Sequence, residues 1–251
     1  MSRRTLLLIN PNTSAAVTGL LQRQVRAVAG PGVRVRASTA RFGTPYIVDE
    51  ASYAVAGHAT LDAWAAALRE PAPAPDAVLI GCFGDPGLMA LRHSSPVPVT
   101  GLAEAAFMRA ARHGRFAIVT GGECWASILE RLALSLGHAD SLAGIRTLNA
   151  SGAQLASDPV AARELVARAC IDAAEQFAAQ AIIVGGAALG GIAADIQHCC
   201  AVPLVDSVIA GAHWALREHP APSESRQAGF DVPWVNLSAE MTALGRSADR
   251  T

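Results

Sequence analysis

The sequence contains no lysine, and all 20 of its basic residues are arginine. A pyridoxal phosphate enzyme holds its cofactor as a Schiff base on a lysine, so this chemistry is excluded. The same absence excludes an enamine between a lysine amine and a carbonyl substrate. A Walker-type phosphate loop also needs its lysine, which argues against ordinary ATP chemistry.

Charge, aromatic side chains and long apolar runs are also scarce. Charged residues make up 16% of the 251 residues, aromatic residues make up 5%, and the formal net charge is −1. This balance provides no basic surface for nucleic acid or for an anionic membrane, so neither is an expected partner. No segment reaches the roughly 18 uninterrupted apolar residues that a membrane span needs. Apolar residues nevertheless make up 51% of the chain, which supplies a large core.

The N-terminal stretch "MSRRTLLLINPNTS" has two arginines before a short apolar run, as a signal peptide does. The run has about five residues, fewer than the ~7–15 of a signal core, and it ends in polar turn residues. We interpret it as a first β-strand and predict a cytoplasmic protein.

The five cysteines indicate neither a disulfide framework nor a metal site. Their number is odd and no export signal accompanies them. The stretch "QHCC" at 197–200 lacks a second ligand pair at zinc spacing, and adjacent helical cysteines point in different directions. We therefore predict no metal.

Short apolar runs alternate with segments of helical period along the chain, which predicts an α/β fold with mainly parallel sheets. The candidate strands are Thr5–Ile9, Val33–Ala37, Ala77–Gly81, Val97–Thr100, Phe116–Thr120, Gly144–Leu148, Ala181–Gly185 and Val202–Asp206.

Two stretches share one layout, "DAVLIGCFGDPGL" at 76–88 and "QAIIVGGAALGGI" at 180–192. Each has an apolar strand, a glycine and a small-residue turn that enters a helix. The repeat predicts two pseudosymmetric lobes, each a mainly parallel sheet flanked by helices. We assign residues 1–98 to the N-terminal lobe, completed by 207–251, and residues 99–206 to the second lobe. Because sites of open parallel sheets lie at the carboxyl ends of strands, we expect the active site in the cleft between the lobes.

Cys82 is the leading candidate for chemistry because it follows the apolar strand of the first repeat. A thiol with its ordinary pKa near 8.5 is mostly protonated at neutral pH. The backbone N–H groups of a glycine-rich turn such as "CFGDPG" lower that pKa, so we expect a reactive thiol. The alternative is a small buried cysteine at the end of a strand.

Other polar residues at strand ends have two interpretations. Asn10 and Asn12 could orient the thiolate or donate to a substrate carbonyl, or the stretch "NPNTS" could be only a turn and helix cap. Thr120 could bind substrate or cap a helix. We expect Asp85 to initiate the helix after Pro86.

Several motifs, in this order along the chain, resemble the hydantoin racemases of the aspartate/glutamate racemase superfamily. They are "LLLINPNTS" at 6–14, "AVLIGCFGDPGL" at 77–88, "PVTGLAEAA" at 98–106, "RFAIVT" at 115–120 and "VPLVDSV" at 202–208. The resemblance implies two α/β lobes, no cofactor, a small-molecule substrate and a homo-oligomer. It also implies two cysteines on opposite faces of the substrate α-carbon, one removing the proton and the other returning it.

The resemblance assigns roles to individual residues. Cys82 matches the first catalytic cysteine. Residues that match the substrate-contacting motifs are Asn10, Asn12, Thr13, Phe83, Gly84 and Thr120. Where the family usually reads Leu-Gly-Cys-Ala-Gly-Met, this chain reads "VGGAAL" at 184–189. Gly186, followed by Ala187, therefore stands in place of the second cysteine, as a wall of the binding site.

Glu123 and Cys124 lie just past the carboxyl end of a candidate strand. Either could be a catalytic group that replaces the missing second acid. The alternative is a helix start, where glutamate is favoured near the positive end of the dipole.

We therefore predict a cofactor-independent racemase or isomerase with Cys82 as the principal acid and base. It would move a proton at the carbon next to a carbonyl in a small hydantoin-like or amino-acid-like substrate. The alternatives are a one-cysteine decarboxylase, cis-trans isomerase or desulfurase of the same superfamily, or a small-molecule binding protein without catalysis. Scarce charge in the expected cleft favours a neutral ring over a dicarboxylate.

Overall fold

The structure is a computed structural model that describes residues 3–149, 158–217, 230 and 232–246. The strands of the described residues are β1 Arg4–Asn10, β2 Val33–Thr39, β3 Ala77–Ile80, β4 Val99–Gly101, β5 Phe116–Gly121, β6 Leu142–Leu148, β7 Ala181–Gly185 and β8 Leu204–Asp206. The helices are α1 Ala15–Ala29, α2 Glu50–Arg69, α3 Leu88–Ser94, α4 Leu102–Ala110, α5 Trp125–Ser135, α6 Pro159–Gln176, α7 Ile192–Ile196, α8 Ser207–Ala215 and α9 Ala239–Arg246. Each candidate strand of the sequence corresponds to one of these strands, with ends that differ by a few residues.

The strands form two parallel sheets with the same internal order. The first sheet has the order β2-β1-β3-β4 and the second has the order β6-β5-β7-β8. Every neighbouring pair is parallel. The second sheet thus repeats the first, and the predicted α/β fold with two pseudosymmetric lobes is confirmed.

The first sheet extends beyond the predicted lobe boundary at residue 98. Strand β4 pairs with β3, with Gly101 aligned to Ile80, so residues 99–101 belong to the first sheet. Helix α8 packs against α1 and α4, and α9 packs against α2. Residues 218–229, 231 and 247–251 of the predicted C-terminal return lie outside the described residues.

The central strands are buried along most of their length because helices cover both faces of each sheet. One apolar cluster joins the two lobes and includes Leu79 of β3 and Ile183 of β7. Within it, the ring of Phe107 in α4 stacks on Phe116 in β5 with centroids 5.5 Å apart. Apolar packing therefore joins the two lobes. No helix in the described ranges is both long and apolar enough to cross a membrane.

Candidate active site

The register of the two sheets makes Cys82 and Gly186 equivalent. In the first sheet Ile9 is aligned with Ile80, and the N–H of Gly81 donates to the Ile9 carbonyl at 2.7 Å. In the second sheet Val119 is aligned with Val184, one residue before Gly185. The residue that follows each terminal glycine is Cys82 in the first lobe and Gly186 in the second.

A cavity of about 330 Å³ lies at the carboxyl ends of both sheets, and both equivalent residues line it. Its lining residues are Asn12, Ala16, Val17, Leu20, Tyr46, Ile47, Val48, Gly81, Cys82, Phe83, Thr120, Gly121, Gly122, Trp125, Gly185, Gly186, Ala187, Ala188 and Leu189. Among these described residues none has a charged side chain, so the wall offers apolar surface and a few neutral polar groups.

Cys82 is half-buried at the end of β3, and burial raises the pKa of its thiol well above the ordinary range. The nearby carboxyl of Asp85 raises that pKa further. The prediction of a lowered pKa is therefore wrong. Loss of hydration disfavours the charged thiolate, so the pKa shift runs opposite to the one that the turn predicted.

Gly186 leaves room on the part of the cavity wall that comes from the second lobe. Its φ is 132°, in the region that favours glycine, and a Cβ atom built there would come no closer than 4.0 Å to Leu189 Cγ. Its N–H donates to Ser207 Oγ at 3.2 Å. The second lobe thus presents backbone and space where the first lobe presents a thiol.

The two asparagines of "NPNTS" have different positions. Asn10 is fully buried, and its Nδ2 donates to Asn12 Oδ1, Ser14 O and Thr18 Oγ1 at 2.8, 3.1 and 3.0 Å. Its Oδ1 accepts from the N–H of Asn12 at 3.3 Å. Asn10 is outside the cavity lining and builds the turn, whereas Asn12 lines the cavity. Ser14 caps α1 by accepting from Val17 N–H.

Five of the predicted site residues are not brought to the cavity wall. Besides Asn10 they are Thr13, Gly84, Glu123 and Cys124. Glu123 and Cys124 are exposed at the start of α5, and the cavity-lining residues on either side of them are Gly122 and Trp125. Their position gives no support to a second acid, because the turn directs the backbone of residues 120–122 rather than these side chains toward the cavity.

Two aromatic rings fix the loops around Cys82 by packing on glycines. A side chain on Gly185 would overlap the ring of Phe83, and one on Gly84 would overlap the ring of Trp125. Each ring crosses from one lobe to the turn of the other. Phe83 is a predicted site residue, whereas sequence reasoning missed Trp125. Its place directly after the short loop that follows β5 is a signal that could have found it.

The outer wall of the cavity was also missed by sequence reasoning. It comes from residues 46–48 in the loop before α2 and from Ala16, Val17 and Leu20 on α1. The first part of this helix faces the cavity, and Val17 and Leu20 there are only partly buried.

Asp85 does not initiate the helix that follows Pro86. The N-cap position of α3 is Gly87, and the Asp85 carboxylate instead accepts hydrogen bonds from the start of α4. The helix that it caps is a later one, because the chain folds back through β4.

The fold and the cavity define a class of protein: a two-lobed α/β enzyme with repeated parallel sheets and a thiol on the wall of the interlobe cleft. A hydantoin racemase from Paenarthrobacter aurescens is 31% identical over 204 residues, which are 81% of this chain and 86% of that protein. The crystal structure of allantoin racemase from Pseudomonas fluorescens is 29% identical with a TM-score of 0.79, covering 84% of this chain and 88% of that one. Allantoin racemase from Klebsiella pneumoniae is 31% identical with a TM-score of 0.78, covering 84% and 86%.

The family model described as Asp/Glu/Hydantoin racemase matches residues 6–215. This chain belongs to the Asp/Glu/hydantoin racemase family. The resemblance inferred from the motifs is confirmed, and with it the assignment of the protein as a racemase-family enzyme.

Proposed function

We propose that the protein transfers a proton at the carbon next to a carbonyl in a small neutral cyclic ureide of the hydantoin type, with Cys82 as acid and base and without a cofactor. The observation that carries this proposal is the position of Cys82 on the wall of the interlobe cavity. The names of the similar hydantoin and allantoin racemases support the substrate class.

The cavity wall favours a neutral ring over a dicarboxylate. None of the described lining residues carries a charge that would pair with a substrate carboxylate. An unpaired carboxylate loses hydration on entering such a cavity, which is costly. The apolar face formed by Ala16, Val17, Leu20 and Ile47 is suited to an alkyl or aryl substituent on the ring.

The reaction starts from the thiolate form of Cys82. Its Sγ takes the α-proton, the C–H electron pair moves into an enolate, and negative charge develops on the carbonyl oxygen. Asn12 and Thr120 line the cavity and have neutral donor groups that suit this oxygen. The Sγ–H bond then returns a proton to the carbon and regenerates the thiolate.

Gly186 makes the two faces of the substrate unequal. A proton returned by Cys82 arrives on the face from which it left, and Gly186 supplies no acid on the other face. We therefore propose that exchange of the α-proton with solvent is faster than inversion, and that water serves the Gly186 side when inversion occurs.

The presence of Cys82 but no thiol at Gly186 on the cavity wall favours a second candidate, a one-thiol decarboxylase, because that reaction needs one proton donor. The raised pKa keeps Cys82 protonated, which is the form needed to donate to an enolate left after loss of carbon dioxide. In that reaction the C–C electron pair becomes the enolate and the thiol proton becomes the new C–H.

The testing experiment is proton NMR in deuterium oxide. The protein is incubated separately with 5-substituted hydantoins, allantoin, aspartate and glutamate. We expect loss of the α-proton signal of a hydantoin, abolished in Cys82→Ala and retained in Cys124→Ala, which alters an exposed cysteine outside the cavity. Polarimetry then compares exchange with inversion.

Absence of exchange on all of these substrates would overturn the proton-abstraction proposal. Release of carbon dioxide from an α-substituted malonate, lost in Cys82→Ala, would then establish the decarboxylase. Ligand binding without either reaction would identify a binding protein.

A further inference from the structure

The carboxylate of Asp85 connects the turn that carries Cys82 to the start of α4. Asp85 Oδ1 accepts from the N–H of Ala103 at 2.9 Å, and Oδ2 accepts from the N–H of Glu104 at 2.7 Å. Asp85 is only 1% exposed, and its φ of 53° is rarely adopted by residues other than glycine. The backbone of the turn is therefore held in a costly conformation by the bonds of this side chain.

Gly101 has the space for this carboxylate because it lacks a side chain. A Cβ atom on Gly101 would overlap Cγ of Asp85. The backbone of Gly101 has a φ of −121° and a ψ of 178°, an extended conformation that any residue can adopt. The glycine is thus needed for the room it gives to Asp85 and not for its conformation.

In the second lobe, the cap of the corresponding helix comes from the end of the strand before it. By register Asp206 is the equivalent of Gly101, since Val184 aligns with Asp206 as Ile80 aligns with Gly101. Asp206 caps α8 directly, with Oδ1 accepting from Val208 N–H and Ile209 N–H at 2.9 and 3.0 Å. A cap at this place can therefore come from the end of the strand, without any side chain from the preceding turn.

We propose that Asp85 is a positioning residue that holds Cys82 against the cavity by tying its turn to α4. The inference rests on the proposed role of Cys82 in proton transfer. The cap of α4 could have come from position 101, as the cap of α8 comes from Asp206, whose Oδ2 also accepts from the N–H of Gly191 at 2.6 Å. The carboxylate comes instead from the residue three positions after the thiol, which couples the turn of Cys82 to the rigid core around Phe107 of α4.

The test moves the carboxylate from the turn to the strand. Asp85→Gly leaves α4 uncapped. The double variant Asp85→Gly/Gly101→Asp places the carboxylate where the second lobe has Asp206, in space that Asp85 has vacated. Glycine at 85 also fits the positive φ. Three quantities are measured: the thermal midpoint, the exchange rate with its kcat and KM, and the alkylation rate of Cys82 by iodoacetamide, followed on its own peptide by mass spectrometry.

We expect Asp85→Gly to lower the thermal midpoint and the double variant to restore it. We expect kcat of the double variant to stay about 10²-fold low, the loss that a ~1 Å misplacement causes, with KM little changed. Its Cys82 should alkylate several times faster than in the parent, because the released turn opens more often.

Full recovery of kcat and of the parent alkylation rate in the double variant would overturn the proposal, because Asp85 would then be only a helix cap. A double variant that does not fold, judged by circular dichroism, would overturn the proposal too. The cap of α4 and the link to the turn of Cys82 would then be inseparable. The alkylation arm needs no substrate, so it separates a failure of this inference from a failure of the proposed function.

Discussion

Cys82 and Gly186 occupy equivalent positions in the two lobes and line the same cavity. Cys82 follows Gly81, the residue after β3, and Gly186 follows Gly185, the last residue of β7. The order of the strands is the same in both sheets. Both lobes have a four-stranded sheet of the same order, but only the first lobe places a thiol at this position. The resemblance to hydantoin racemases implies a thiol in both places, so the difference between the two positions governs what this chain can do.

Gly186→Cys should increase inversion relative to exchange. The open space beside Gly186 admits a side chain, and a thiol there would supply the missing proton on the second face. The positive φ makes any L side chain costly, by about 1–3 kcal/mol. Polarimetry of a single hydantoin enantiomer measures inversion, and thermal unfolding measures the cost.

Gly186→Ala is the matched control, because it has the same backbone strain without a thiol. It should lose stability to a similar extent and gain no inversion. Equal inversion rates in the two variants would contradict a role for a second-face thiol.

The rate of α-proton exchange should rise with pH further than it would for an ordinary cysteine. Burial raises the pKa of Cys82, so the thiolate that removes the proton is a minor form at neutral pH and increases as the pH rises. The rate from about pH 7 to about pH 10 should climb without a plateau at the ordinary thiol pKa of about 8.5. NMR exchange rates across this range provide the measurement.

A decarboxylase would have the opposite dependence, because its thiol acts only as a donor. Its rate would stay level while Cys82 is protonated and fall once the thiol ionises. A plateau of exchange near neutral pH would contradict the raised pKa.

Gly185→Ala should destabilise the protein, because its new methyl group would overlap the ring of Phe83. Overpacking at a buried contact costs about 1–3 kcal/mol. Adding Phe83→Leu should recover part of this loss by removing the ring. Gly32→Ala is the control, since a Cβ atom there has open space and no positive φ. Chemical denaturation of the four proteins gives the comparison, and equal losses in both glycine variants would contradict the packing argument.

Asn10→Ala and Asn12→Ala should both lose the bond from Asn10 Nδ2 to Asn12 Oδ1, and Asn12→Ala should in addition weaken substrate binding. Removing the Asn10 amide leaves buried partners such as Thr18 Oγ1 without their donor, which costs about 1–3 kcal/mol of stability. Asn12 lines the cavity, so its replacement should raise KM for a hydantoin. Thermal unfolding and steady-state kinetics of both variants measure these effects. An unchanged KM in Asn12→Ala would contradict a role of Asn12 in substrate binding.

The strand pattern could be predicted from the sequence because its signal is local. Apolar runs such as Ala181–Gly185 and the repeated glycine turns record burial on both faces of a sheet, which depends on neighbouring residues only. The repeat predicted that Cys82 and Gly186 hold equivalent positions, each at the carboxyl end of a strand in its own sheet, and both line the cavity.

The sequence by itself determined the α/β fold, the duplication and the place of the thiol. The tertiary structure decided which polar side chain of "NPNTS" reaches the cavity, where the carboxylate of Asp85 binds, and that Trp125 packs beside the site. It also decided the direction of the pKa shift of Cys82. These features depend on distant segments that meet only after folding, and burial, which sets the charge state of a thiol, is a sum over all of them.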